Sequence, residues 1–148
     1  FSINITMLFS FFLWGYFLPK ITDLGFNAFK ILTLGLPISF LVMFTIIVLG
    51  SKAGALLITL FILTSIFLSV IQPAVGLSFQ SHLAGKALTS FNLLIFLGAF
   101  IMQWFIGFVI DLIKSLGYTE IIGFQTAFSV FLLLSLTSYM FFLVINKK

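Results

Sequence analysis

Residues 87–110 read ALTSFNLLIFLGAFIMQWFIGFVI and contain no charged side chain. As an α-helix rising about 1.5 Å per residue, this run is long enough to cross the roughly 30 Å hydrocarbon core of a bilayer. A membrane β-strand would alternate apolar and polar residues, whereas a segment such as Phe131–Leu136 is apolar or small throughout. Because a helix satisfies its own backbone hydrogen bonds in lipid, the run predicts a transmembrane helix.

Four further uncharged runs have the length of a membrane-spanning helix: 1–19, 31–51, 53–81 and 121–146. The charged side chains and the single His are confined to the gaps: Lys20, Asp23, Lys30, Lys52, His82, Lys86, Asp111, Lys114, Glu120, Lys147 and Lys148. A Lys or Asp at the centre of a spanning helix costs about 2.5–3.5 kcal/mol, so evenly scattered charges would have disrupted several spans. The pattern predicts an all-α membrane protein with five transmembrane helices at about 1–18, 28–50, 54–76, 86–113 and 119–145.

The composition excludes a water-soluble globule. Of the 148 residues, 62% are hydrophobic and 7% are charged, 22 are Phe, and the mean hydropathy is +1.35. Soluble domains carry about 25% charged residues, so this chain has too little polar surface to cover itself in water. The lipid bilayer is therefore its expected partner. The absence of Cys excludes disulfides and Cys-ligated zinc in this chain.

The distribution of lysines predicts the orientation. The predicted side that holds the tail carries five lysines: Lys20, Lys30, Lys86, Lys147 and Lys148. The opposite side carries Lys52 and Lys114. Since basic residues are enriched in cytoplasmic loops, the C-terminus is predicted to be cytoplasmic. The chain begins at Phe1 inside an apolar run with no basic segment before it, and we interpret it as a fragment of a longer polytopic protein.

Proline and glycine predict where the helices end or bend. Pro19 is expected to close the first helix, and the loop from Gly76 to Gly85, which contains His82, to separate the third helix from the fourth. Pro37 and Pro73 lie inside helical runs and predict kinks.

Two predicted helices carry a stripe of small and polar residues. The stripe on the third helix comprises Ser65, Ser69, Gln72 and Gly76, and that on the fourth comprises Asn92, Ala99, Gln103 and Gly107. Asn92 and Gln103 are only about 20° out of register and about 16 Å apart along the axis. Buried amides need partners in hydrocarbon, which favours a wet cavity or an interhelical hydrogen-bond network, with Trp104 beside it. The alternative is packing alone, with hydroxyls bonded to their own helix and a single amide joining two helices.

An enzymatic site is not indicated. His82 has no metal-binding or nucleophile motif around it, and a phosphate-binding loop is absent. Asp111 and Glu120 lie near predicted helix ends rather than in the middle of a span. No cofactor, metal site or catalytic residue is predicted. Nucleic-acid binding is not predicted either, because the lysines are divided between two membrane faces.

Two segments resemble the last two helices of a transporter of the major facilitator superfamily: SHLAGKALTSFNLLIFLGAFIMQWFIGFVIDL (81–112) and GYTEIIGFQTAF (117–128). In that family a Gly and a basic residue precede helix eleven, which has an Asn near its start and a Gly-x-x-x-Asp at its end. The matching positions are Gly85, Lys86, Asn92, Gly107 and Asp111.

A segment near the N-terminus is similar to the family's loop between helices eight and nine. It contains Trp14, Gly15, Pro19, Lys20, Asp23, Gly25 and Lys30. It lacks the paired basic residues and the Gly-Arg ending of the family motif. The resemblance covers essentially the whole chain as helices eight to twelve, and it implies that the first, third and fourth helices here face a central cavity.

The resemblance implies part of the C-terminal half of a secondary transporter in the inner (plasma) membrane. A small solute would cross by alternating access, with the missing N-terminal half as partner. We expect Gln72, Asn92 and Gln103 to bind the solute and Trp104 to form an apolar wall. Gating positions would be Lys20, Asp23 and Lys86, and hinge or packing positions Pro73, Gly98 and Gly107. The alternatives are a non-transporting membrane subunit or scaffold and, third, a membrane-embedded enzyme.

Overall fold

A computed structural model describes residues 2–25 and 27–146, and within them it is about 90% helical and contains no strand. The α-helices are α1 (Ser2–Asp23), α2 (Ala28–Leu49), α3 (Ala55–Ser65), α4 (Ile71–Leu77), α5 (Ser81–Ser115) and α6 (Glu120–Ile145). Two 3-10 segments, Gly50–Lys52 and Ile66–Val70, follow α2 and α3. The described residues do not include Phe1, Phe26, Lys147 and Lys148. The predicted orientation depends in part on the last two, so that part of the prediction lies outside the described residues.

The helical class predicted from the sequence is confirmed, and several helices are long and apolar, as in a multi-pass membrane protein. Within the described part of the chain, four segments have the length and composition to cross a membrane: Ala28–Lys52, Ala55–Leu77, Ser81–Ser115 and Glu120–Ile145. A shorter apolar segment, Leu8–Ile21, lies within α1. We call the segment Ala55–Leu77 the third span, because it joins α3, a 3-10 segment and α4.

The first helix does not stop at Pro19, contrary to the expectation from sequence. Helix α1 continues through Pro19 to Asp23. A proline within a helix removes one backbone hydrogen bond and crowds the carbonyl four residues earlier, here that of Gly15. Apolar helices tolerate this loss of one bond, so Lys20 and Asp23, which were predicted to lie in a loop, belong to the last turns of α1.

The third span is interrupted where the sequence predicts a continuous helix. Residues Ile66–Val70 form a 3-10 segment, and Pro73 lies three residues beyond it in α4. Pro73 cannot donate a hydrogen bond to the carbonyl of Ser69 and its ring crowds that carbonyl, which favours the change of helix type at this place. Thr64 and Ser65 turn their hydroxyls to carbonyls of α3 itself, at 2.7–3.1 Å.

Helix α5 is longer than predicted at both ends. It begins at Ser81 rather than near residue 86, so His82 and Lys86 lie in its first turns and not in a loop. Its 35 residues would extend about 52 Å, more than a hydrocarbon core requires. The prediction followed the apolar run, whereas the helix continues into the polar residues that flank it.

The connection between α5 and α6 is closed by a glycine. Gly117 has a φ of +87°, which side chains other than glycine rarely adopt. Its N–H donates to the carbonyl of Lys114 at 3.0 Å, and the N–H of Tyr118 donates to that of Ile113 at 3.2 Å. This pair of bonds is the Schellman motif, which satisfies the last carbonyls of α5.

At the start of α2, the Oδ1 of Asn27 accepts a hydrogen bond from the N–H of Lys30 at 2.9 Å and caps the helix.

The chain divides into two compact units, 1–42 with 55–91 and 43–54 with 92–148. In the first unit, α1 packs against α3 and the 3-10 segment that follows it. A Cβ on Gly76 of α4 would lie 3.4 Å from the side chain of Leu88, so α4 and the first turns of α5 are in ordinary van der Waals contact there.

In the second unit, α6 contacts two elements through opposite sides. Gly123 faces α5, where its Cβ position lies 3.1 Å from the Cα of Ile110. Two residues on, and so about 200° around the helix, Gln125 donates from Nε2 to the carbonyl of Ile47 at 2.6 Å. Ile47 lies in the last turn of α2, where carbonyls lack an intrahelical partner. Gly50 leaves room for Gln125, since a Cβ there would lie 2.8 Å from Nε2.

Candidate functional site

One side of α5 in the second unit presents small residues and an amide that other described residues do not cover. Ala99, Gln103 and Gly107 follow each other at one-turn spacing and are all exposed. A Cβ on Gly107 would meet no atom within 4 Å. We call this surface, comprising Ala99, Gln103 and Gly107, the amide face.

Asn92 precedes the amide face on the same side of α5. It is seven residues before Ala99 and is half-buried, and it has an interaction partner. About 16 Å of helix separates it from Gln103. One small molecule cannot contact both amides at once, so together they define a line along α5 rather than a single binding point.

Trp104 lies next to Gln103 and about 100° around the helix. Its side chain is 64% exposed, and its ring stacks on that of Phe108 with centroids 5.6 Å apart and an angle of 12° between the planes. Because Phe108 holds the indole along the helix, the pair borders the amide face with a flat apolar surface.

Gln72 and Pro73 are both exposed and belong to the first unit, whereas Asn92 and Gln103 belong to the second. The 3-10 segment changes the register of the stripe predicted on the third span. Five residues at about 120° each, instead of about 100°, add about 100° of rotation, so Gln72 lies about 80° around the helix from Ser65. Ser65 and Gln72 therefore do not lie on one face of the third span, although the sequence predicts that they do. Gly76, at the end of the stripe, packs against Leu88.

The three predicted gating residues are exposed and helical. Lys20 donates from Nζ to the hydroxyl of Tyr16 at 2.7 Å and lies 3.9 Å from the centre of its ring. Asp23 is the last residue of α1, and Lys86 lies in the second turn of α5. Lys20 is thus held along α1 by a neighbour one turn earlier.

Glycines of α5 predicted as hinge or packing positions lie in open space. A Cβ on Gly98 or Gly107 would meet no atom within 4 Å, so neither makes a close helix contact within the described part of the chain. The close contact in this unit is made instead by Gly123, which is buried one turn before the fully buried Ala127. This spacing of two small residues is the signal that could have identified the contact from sequence.

Gln125 is the second residue that the sequence analysis missed. Its amide is used for a hydrogen bond to the carbonyl of Ile47, so its role is to join α6 to the end of α2. Among the described residues, no three side chains of His, Cys, Asp or Glu come together as metal ligands would. No family model, curated protein or solved structure matches this chain.

Proposed function

We propose that the chain is part of a secondary transporter of the major facilitator type, which moves a small polar solute across the inner membrane by alternating access. In this proposal the C-terminal tail lies in the cytoplasm, and the chain pairs with the N-terminal helical half of the transporter. The observation that carries the proposal is the amide face, where Gln103 is exposed on a helix that is otherwise apolar enough to span a membrane. Gln103 forms no hydrogen bond with any other described residue.

An uncovered amide argues against a lipid environment for this side of α5. Moving an amide from water into hydrocarbon without a partner costs several kcal/mol, so polar side chains in a membrane face protein or water. Ala99 and Gly107 add little volume above and below Gln103, which leaves space for a solute or water next to its amide.

We assign solute binding to the amides. Because the amide face carries no charge, it favours a solute with uncharged hydrogen-bonding groups over a strongly charged solute. Gln103 and Asn92 are too far apart for one small solute, so we propose that they act at successive positions along a path. Trp104 would exclude water on one flank of this path.

The second candidate is a membrane subunit that binds a partner helix without transport. The open space beside Gly107 favours it, since small residues on an exposed helix allow another helix to approach closely. In that case Gln103 would be covered by protein and closed to water.

The absence of Cys allows a direct test, because a single introduced thiol is then the only one in this chain. In the whole protein in membrane vesicles, with any cysteine outside this chain replaced by Ser, Gln103→Cys is treated with a charged methanethiosulfonate reagent that does not cross membranes. The matched control is Ile101→Cys, an exposed position about 160° around α5. Thiolate forms only where water is present, so we expect Gln103→Cys to react at least about ten-fold faster.

The orientation of the vesicles separates the two candidates. A transporter exposes position 103 to each side in turn, so the thiol reacts in both right-side-out and inside-out vesicles. Reaction as slow as that of Ile101→Cys in both preparations would contradict an aqueous path and favour the subunit. Once a transported solute is known, Gln103→Leu is expected to lower its uptake while membrane insertion is retained.

A further inference from the structure

An apolar pocket of about 290 Å³ lies between α1 and the third span, within the first unit. Five of its lining residues come from one side of α1, from Ser10 to Ile21, and Leu63 and Ile66 come from the third span. We call it the α1 pocket. It is distinct from the amide face, which lies in the other unit.

The lining of the α1 pocket suits hydrocarbon rather than water. Ser10 supplies the single hydroxyl, is only 1% exposed and has a partner of its own, while the other lining residues are apolar. A cavity needs several polar partners to hold a water molecule, and a purely apolar cavity of about 150 Å³ takes up benzene. The α1 pocket has about twice that volume.

The length of the pocket matches one leaflet. Ser10 and Ile21 are eleven residues apart, or about 16 Å along α1, and half of a hydrocarbon core is about 15 Å. The Ile21 end lies beside Lys20, whose Nζ bonds the hydroxyl of Tyr16. Lysine and tyrosine are typical of the membrane interface, so this end is at headgroup level and the Ser10 end is deep in the leaflet.

The charge at the Ile21 end favours an anion. Lys20 is not one of the lining residues, but it precedes Ile21 directly at this end of the pocket, and its Nζ contacts Tyr16, one turn back along the helix. The first turn of α2 adds Lys30, whose Nζ lies 3.4 Å from the carbonyl oxygen of Gly25, and the one acidic residue nearby in the sequence is Asp23.

We propose that the α1 pocket binds one acyl chain of an anionic phospholipid from the bilayer, with the phosphate beside Lys20. The proposal rests on the membrane embedding proposed above and is independent of transport. A lysine near a membrane surface contributes about 1 kcal/mol to binding an anionic lipid, which corresponds to an about five-fold preference over a zwitterionic one.

Trp14 lines the pocket and serves as the reporter. The chain has two tryptophans, so Trp104→Phe leaves Trp14 as its only one, and any tryptophan in the rest of the protein is likewise replaced by Phe. The protein is reconstituted into phosphatidylcholine vesicles that contain either brominated phosphatidylglycerol or brominated phosphatidylcholine at equal fractions, since bromine quenches indole fluorescence on contact. We expect the phosphatidylglycerol probe to bind about five-fold more tightly. Lys20→Gln is expected to abolish this preference, whereas the control Lys114→Gln leaves it unchanged.

A second variant tests whether the lipid enters the pocket. Leu63→Phe reduces the free volume and is expected to lower quenching of Trp14 by both probes. Unchanged quenching in Leu63→Phe would mean that lipid reaches Trp14 from outside the pocket, which overturns the proposal. Equal quenching by both probes without an effect of Lys20→Gln overturns it as well.

With both native tryptophans of the chain replaced by Phe, Phe141→Trp places an indole at an exposed position of α6 as a control for embedding. Quenching at position 141 without quenching of Trp14 would show that the chain is embedded but that protein fills the pocket, which refutes lipid binding alone. If neither position is quenched, membrane embedding itself is refuted, and the lipid proposal fails with it.

Discussion

Replacing Gly123 with alanine is expected to weaken the contact between α6 and α5. The added Cβ would lie 3.1 Å from the Cα of Ile110 and 3.4 Å from its Cγ2 and carbonyl oxygen. Two of these three atoms belong to the backbone, which cannot move away by changing a rotamer. The helices must therefore separate by a few tenths of an ångström along this contact.

The magnitude follows from two opposing effects. Overpacking of a close contact costs about 1–3 kcal/mol, while alanine in place of glycine stabilises a helix by about 1 kcal/mol. The Gly123→Ala variant is thus expected to lose between about 0 and 2 kcal/mol of stability. Gly98 provides the matched control, because a Cβ there meets no atom within 4 Å. Gly98→Ala keeps only the gain of about 1 kcal/mol.

The assay is reversible unfolding of the purified protein by sodium dodecyl sulfate in micelles of a neutral detergent, followed by tryptophan fluorescence. We expect the free energies of unfolding of the two variants to differ by about 1–3 kcal/mol, with Gly123→Ala the less stable. Equal stabilisation of both variants would refute the reasoning, since it would mean that position 123 has the same free space as position 98.

Two further substitutions test single hydrogen bonds by the same unfolding assay. Asn27→Ala removes the side-chain cap of α2 and is expected to cost about 1 kcal/mol, whereas Asn27→Ser, which retains a capping oxygen, should recover most of it; equal loss in both variants would contradict a capping role. Gln125→Leu removes the bond to the carbonyl of Ile47 and is expected to cost about 1–3 kcal/mol. Its control, Thr126→Val, loses only a bond within α6 and should change stability by about 0.5 kcal/mol or less, so similar losses in both would argue against the contact with α2.

The helical class was predictable because a charge inside a bilayer is expensive, so the charged residues mark the gaps. The helix ends were not predictable in the same way. An apolar run marks the residues suited to lipid, whereas a helix ends where its backbone hydrogen bonds end. Helix α1 continues four residues past Pro19, and α5 begins at Ser81, five residues before the prediction. In both places the extra residues include polar side chains, among them Lys20, Asp23 and His82, and they extend the helix beyond its apolar run.

The helix contacts were hidden for a different reason. Helix α6 is apolar on all sides, and lipid is as apolar as a neighbouring helix, so no hydropathy period distinguishes its packed face. Within α6, Gly123 and Ala127 are the one pair of small residues four positions apart, and this spacing distinguishes the packed face. The 3-10 segment before Pro73 could not be predicted either, because the stripe on the third span assumes the α-helical rotation of about 100° at every residue.

The contact of Gly123 with Ile110 and the amide face lie on the same side of α5. Ile110 follows Gln103 by seven residues, so the two differ by only about 20° around the helix and by about 10 Å along it. At Ile110 this side is covered closely by Gly123, yet at Gln103 it is exposed. Helix α6 must therefore leave this side of α5 within two turns, and the amide face begins where the helix contact ends. The lack of a side chain at position 123 allows α6 to approach the backbone of α5 closely at Ile110, before the two helices diverge.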